Sequence, residues 1–596
     1  MNKQIRKGKA KYFFKAIVLS VRLKSPTSII ISLLGFGAAF FPMLISLQLQ
    51  AFTNDVQSLF NNKELLNTAL YSFAILATLY ILQTIFSLIE KYIVAEDTAR
   101  VKRYLKEKIL VLLSSVPYKY IESQGEFREK VDFIKQYGGE KTTGSISLIF
   151  SWIAKIIAFI SITVILWEVS PWIVVALVVT SIPAVILSNL QQDETYRFRT
   201  KRMKEGLLTW NYSDSCRQSA PMKEIRFFGL YNYFKEQWLH VSKNWMKKKK
   251  ALARKHLIFN SVADILRNGV YLIILIITAR EIYTNPEKGL GAFMLVFSAA
   301  GQLQSITTML LINIVSIFTD VKYMEDFFVL LETETEEVVD NLSNYDNVTI
   351  EFNDVSFSYP NSYDLALDGL NVKINQGEKI AIVGANGSGK STFVNLLCGL
   401  YAPKNGEAKI NNKSIIDNIW KVRRSISVIF QNFCQYQDTL RNNIAVSDPM
   451  RVDDDEAILN LAKKTGADEA IIDQANGLDE IIGMFSNEGK NLSGGQWQKI
   501  AITRALFRKN ARVYILDEPT AALDPIAEAN IYRNFSELTE DKTTILISHR
   551  LGVTSVVKRI LVFDSGKIVE DGSHDELMKK NGYYTKMYKT QAKWYQ

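Results

Sequence analysis

One run of eight residues has the types and spacing to hold phosphate: Gly384-Ala385-Asn386-Gly387-Ser388-Gly389-Lys390-Ser391. It follows an apolar run, KIAIVG, that reads as a buried strand, and it opens STFVNLLCGL, which reads as a helix beginning at Ser391 and Thr392. Glycines let backbone N–H groups curl around phosphate oxygens. The helix start adds partial positive charge. Lys390 supplies a point charge to the terminal phosphates, and the Ser391 hydroxyl suits a divalent cation such as Mg2+. A second constellation is VYILDE, an apolar strand that ends in Asp517 and Glu518. Asp517 is placed to organise Mg2+; Glu518 would face the last phosphate and polarise a water.

Such groups need a sheet and helices to position them. From about Val348 onward short β-type runs alternate with helical ones, the pattern of an α/β domain. The first half differs. Six apolar stretches, roughly 27–50, 66–94, 145–168, 170–191, 256–280 and 289–318, are each long enough to cross a bilayer. The 596 residues exceed what one core holds. The expected organisation is an α-helical membrane domain of six spans over 1–330, a charged linker over 331–345 and an α/β phosphate-loop domain over 346–596.

The net charge of +10 does not require nucleic acid, because the basic residues gather between apolar runs and not within them. They concentrate in 100–141 and in 197–255, which includes Lys247 to Lys250; the loops at 54–63 and 283–288 are short and weakly charged. Both termini and both long loops are therefore expected in the cytoplasm, with no nucleic-acid partner. The long loops are amphipathic and lack strand signals, so helices are expected to run on past the membrane. The basic N-terminus reads as a cytoplasmic tail, not a signal peptide. Cys216, Cys398 and Cys434 have no metal-ligand spacing, and the four histidines are scattered.

Between the phosphate loop and the carboxylate strand lies Leu492-Ser493-Gly494-Gly495-Gln496. With it the second half resembles ABC-type ATPases across nearly all of 348–596. The resemblance implies ATP and Mg2+ as cofactors and adds roles residue by residue. Tyr359 (FSYP) matches the aromatic that stacks on adenine. Gln431 (VIFQNF) matches the glutamine that contacts Mg2+ and the attacking water. Glu488 matches an acidic position near the coupling helices, and Asp524 (AALDP) the aspartate of the loop after the carboxylates. His549 (LISHR) matches the switch histidine on the γ-phosphate. Catalysis would thus rest on Glu518, His549 and Gln431. Ser493, Gly494, Gly495 and Gln496 would cap the nucleotide held by a second subunit, so a homodimer is implied.

Six spans followed by one ATPase domain resembles the exporter half-transporter arrangement, with Lys223–Leu230 and Val116–Phe127 in the places of coupling segments. SGGQWQKIA, FQNF and KEIRFFG together resemble the nisin-type lantibiotic exporters of Gram-positive bacteria. That implies an exported modified peptide, alternating access across the bacterial cell membrane, contact with membrane lipid, and peptide-modifying enzymes as partners. Trp497, where many relatives are basic, also reads as plain surface packing. With the first span starting near 27, no N-terminal protease domain is expected. A multidrug or lipid exporter would carry the same ATPase residues. A soluble ABC-type ATPase would lack the spans, and a non-transporting sensor fits poorly with intact Glu518 and His549. Within the spans, Lys155, Asp264, Arg267, Gln302 and Gln304 are polar, and Asp264 and Arg267 share a helical face.

Overall fold

The structure is a computed structural model of the 596-residue chain and describes all of it except residues 1–10, 13, 16, 17, 20, 21, 61, 62, 123–125, 136–138, 337–344, 361, 473–475, 484–489, 519–524 and 593–596. It forms two compact units: Met1–Ser114 with Gln124–Glu334, and Ser115–Ser123 with Thr335–Gln596.

The first unit is helical. Among the described residues six segments are long and apolar enough to cross a membrane: Pro26–Leu59, Leu66–Ser115, Trp152–Val169, Pro171–Thr200, Tyr231–Thr284 and Gly289–Ser316. The first is two helices, Pro26–Ala38 and Phe41–Leu59. The break follows from sequence: Pro42 has no N–H to continue the ladder, and Gly35 and Gly37 weaken the preceding turn. Pro183, in contrast, lies inside the helix Pro171–Ser215 without ending it. The helices Leu66–Ser115 and Tyr231–Thr284 have 50 and 54 residues. At about 1.5 Å per residue each is roughly 75–80 Å long, against about 30 Å of hydrocarbon, so both run far beyond the bilayer. The core is built on Ile162, Leu166, Leu177, Val296 and Leu303, with Ala299 and Ala300 letting helices approach closely. Some polar groups in the spans find partners on neighbouring turns and helices, while Gln304 Nε2 and Arg267 Nε are buried without a hydrogen-bond partner among the described residues. Arg267 pairs with Asp264 at 2.9 Å and donates to the Thr308 hydroxyl at 3.1 Å. Gln302 donates to Ser46 and Ser298 at 3.1 and 3.0 Å. Such pairing is how a membrane helix tolerates charge.

The second unit holds two larger sheets. Its main sheet has six strands in the order β12-β11-β3-β10-β9-β6: β3 is Lys379–Gly384, β6 Ile426–Ile429, β9 Val513–Asp517, β10 Thr543–Ser548, β11 Arg559–Asp564 and β12 Lys567–Gly572. All neighbours pair parallel except β11 and β12. β3, β9 and β10 are buried almost from end to end because both faces are covered. An antiparallel sheet, β2-β1-β4-β5, is formed by β1 Ile350–Phe357, β2 Leu367–Ile374, β4 Asn405–Ile410 and β5 Lys413–Ser414. One core lies under it, with Phe352 and Phe393 rings 4.7 Å apart. The opposite face of the main sheet packs against Tyr532, Phe535 and Ala501.

A third core gathers Leu440, Ile444, Ile458 and Ile500 around Trp497, which is 3% exposed. Trp497 is thus interior, not surface packing. It anchors the helix Gly494–Phe507 one turn from its start. Trp497→Ala should cost about 3–5 kcal/mol, the usual price of emptying a large aromatic site. Thermal unfolding of the intact protein reads this directly; a shift within error of wild type would place the indole outside the core.

Candidate functional site

Four parallel strands end at one level. Val383 lies beside Ser548, Ile547 beside Asp517, and Leu516 beside Ile429. The residues that follow, Gly384, Glu518, His549 and the Phe430–Gln431 pair, are therefore brought to one carboxyl edge, where open parallel sheets bind ligands.

The loop from Gly384 to Ser391 is packed too closely for side chains at two of its glycines. A Cβ on Gly384 would stand 2.3 Å from the Phe563 carbonyl oxygen. Gly389 has φ 103°, and a Cβ there would meet the Ala366 carbonyl oxygen at 2.8 Å. Asn386 and Gly387 are exposed at the tip, while Ser388 is buried and its carbonyl accepts from the Gly566 N–H at 3.1 Å. Lys390 opens the helix Lys390–Leu397. Its ammonium is buried, donates to the carbonyls of Gly384 and Ala385 at 3.0 and 2.9 Å, and stands 3.7 Å from Glu518. Burial pulls its pKa down, and the Glu518 and Asp517 carboxylates work against that.

Ser391 donates to Asp517 Oδ1 at 3.3 Å. Burial pushes the Asp517 carboxyl up to about 6, with the Ser391 hydrogen bond opposing. A desolvated carboxylate beside a hydroxyl, at the mouth of a phosphate loop, is a donor set that suits a hard cation. Among the described residues no group of three or more His, Cys, Asp or Glu side chains is placed to hold a metal ion.

Glu518 has φ 45°, a strained value for a residue with a side chain. Its N–H donates to the Ile547 carbonyl at 3.0 Å, which holds the turn. Its carboxylate accepts from Gln431 Nε2 at 3.3 Å and lies 3.3 Å from His549 Nδ1. Lys390, Gln431 and His549 thus converge on one carboxylate. Tyr359, just past the end of β1, reaches the helix Lys390–Leu397: its hydroxyl is 3.2 Å from the Thr392 hydroxyl and accepts from Asn395 at 3.2 Å.

The LSGGQ run sits elsewhere. Ser493 caps the helix Gly494–Phe507, its hydroxyl accepting from the Gln496 N–H at 3.3 Å while the Gln496 side chain accepts from the Ser493 N–H at 2.9 Å. Ser493 and Gly494 are exposed, Gly495 and Gln496 half-buried. Asp524 and Glu488 lie outside the described residues. The three cysteines are free thiols.

Sequence reasoning missed two supports. Ser565 and Gly566 form a turn at φ 48° and 79° that closes over the phosphate loop; the Ser-Gly pair was its signal. Arg504, on the helix that Ser493 caps, donates to the carbonyls of Asn443 and Cys434 at 2.7 and 2.9 Å, tying the segment after Gln431 to that helix. Nothing local in the sequence marks that link.

A phosphate loop and paired carboxylates on a parallel sheet, fused to six membrane-spanning helices, define an ATP-driven transporter subunit. Comparison with known proteins agrees. The ABC transporter family profile matches residues 367–521. The chain is 28% identical to the nisin transport ATP-binding protein NisT of Lactococcus lactis over 98% of each chain. It is 30% identical to the ATP-dependent lipid A-core flippase of Alcanivorax borkumensis over 78% of each chain. The structure of a bacterial Atm1-family ABC exporter with ATP bound superposes with a TM-score of 0.79 at 22% identity, covering 95% of this chain and 97% of that one. The chain belongs to the ABC transporters. It is an exporter-type half-transporter, a multi-pass membrane protein whose cytoplasmic ATPase domain binds nucleotide and couples ATP hydrolysis to transport.

Proposed function

We propose that two copies of this chain form an exporter for a ribosomally made, modified peptide of the lantibiotic kind. The observation that carries the substrate class is the end-to-end match to a nisin transport protein, 98% of each chain. Trp497 and its neighbours in SGGQWQKIA support it from the sequence side.

The geometry above supports one assignment of the ATP site. The backbone of Gly384 to Gly389 and the Lys390 ammonium receive the β and γ phosphates, and Tyr359 offers its ring to the adenine. Ser391, Asp517 and Gln431 would hold Mg2+, which when bound neutralises charge on those phosphates. Glu518 accepts a proton from the attacking water as its oxygen bonds to the γ-phosphorus and the bond to the β–γ bridging oxygen breaks, leaving ADP and phosphate. Gln431 orients that water. His549 holds the γ-phosphate. The exposed Ser493 and Gly494 would face the nucleotide of the second copy, with the helix start favouring its phosphates.

A lipid exporter is the second reading, favoured by the lipid A-core flippase match at 30% identity. The experiment is the ATPase rate of the lipid-reconstituted protein against modified peptides with and without leader, lipid A-type glycolipid and hydrophobic drugs. Selective stimulation by a modified peptide is expected. Stimulation by glycolipid or drugs alone would move the substrate class and leave the ATPase assignment standing.

A further inference from the structure

The longest helix of the membrane unit carries a charge pattern that transport chemistry does not use. Between Lys243 and Lys255 it bears seven basic residues and no acidic one. Lys247 to Lys250 are four consecutive lysines, and all four are exposed. With 3.6 residues per turn, four in a row fan out around the axis, so this height of the helix carries ammonium groups in several directions. It is also close to the membrane. The apolar run resumes at Leu257, and at about 1.5 Å per residue the four lysines stand roughly 10–15 Å below it. Headgroups fill about 5–8 Å of that gap and the physiological screening length is about 8 Å, so the ammonium groups lie within reach of the leaflet's surface field.

The neighbouring helix, Pro171–Ser215, adds to the pattern. Antiparallel register is set by Gln191 donating to Asn260 at 2.8 Å and by Glu194 contacting His256 at 3.2 Å, and further along the Phe198 and Trp245 rings meet at 6.4 Å. That register sets the stretch 197–204, which has five basic residues and is followed by Glu205, beside 245–254. The acidic groups at the edge are engaged: Glu194 by Lys255 and His256, Asp193 by Lys322 at 2.6 Å, and Asp326 by the Tyr196 hydroxyl at 3.1 Å. Two helices therefore carry basic sequence at one height just inside the membrane, and the described carboxylates beside it, Glu194, Asp193 and Asp326, each have a partner.

We propose that this basic region binds the anionic phospholipid headgroups of the cytoplasmic leaflet, with Lys247 to Lys250 and Arg254 as the contact residues. Charge complementarity and continuity with the bilayer favour lipid over any soluble acidic partner. The test uses the full-length protein in nanodiscs of equal phosphatidylcholine and phosphatidylglycerol, with native mass spectrometry counting the lipids it retains. Wild type should retain phosphatidylglycerol over phosphatidylcholine by about tenfold, less at high salt. The combined variant K247Q, K248Q, K249Q and K250Q should fall to within about twofold of parity, and the four-arginine counterpart should keep the preference. Basal ATPase, which uses none of these residues, serves as the folding control. Full enrichment in the glutamine variant would overturn the proposal. So would a wild type that shows no lipid preference and instead binds an acidic peptide.

Discussion

Glu518→Gln should retain ATP and turn it over about 10²–10⁴ times more slowly, the usual span for removing a general base. Glutamine keeps the shape and the strained turn, whose N–H is held by the Ile547 carbonyl, but it cannot take a proton. Gln431 and His549, which meet on the Glu518 carboxylate, would keep their places near an uncharged amide. Nucleotide retention and steady-state hydrolysis, measured on the same sample, separate the two effects. Turnover at the wild-type rate would take Glu518 out of the proton-accepting role.

Lys390→Ala should fail one step earlier, at binding. The ammonium is buried, desolvated and aimed along the loop that receives phosphate. Hydrogen bonds to charged groups are worth about 1.5–3 kcal/mol, so ATP affinity should fall by about 10- to 100-fold and hydrolysis should drop to background. The same change also strips the nearest cation from Glu518, 3.7 Å away. Equilibrium binding of labelled ATP decides the matter, with the Glu518→Gln protein as the binding-competent reference. Unchanged affinity would mean that phosphate is held by backbone groups alone.

The two variants also mark how far sequence reaches. The phosphate loop was readable because its chemistry is contiguous, and a strand and a helix flank it on the page as in space. Asp517 and Glu518 were readable as a strand end. Gln431, His549 and Tyr359 are far from these in sequence, and only the family resemblance singled them out; register across β6, β9 and β10 joins Gln431 and His549 to them, and contacts to Thr392 and Asn395 bring in Tyr359. The left-handed backbone at Glu518 has no glycine to announce it. Trp497 was ambiguous because an aromatic among polar neighbours reads equally as surface or interior; the small core around Leu440 and Ile458 decides it. In the membrane unit, six spans were legible from hydropathy and their overrun from the amphipathic pattern of the long loops. The break before Pro42 was not, since Pro183 shows that proline alone does not end a helix.

The overrun has a mechanical meaning. A stiff rod of about 75 Å that pivots by about 10° sweeps its far end through about 13 Å, simple arc length on the helix rise. The 50-residue helix Leu66–Ser115 has that gearing built in: a rotation small enough to leave side-chain packing at one end intact becomes a stroke wider than a helix at the other.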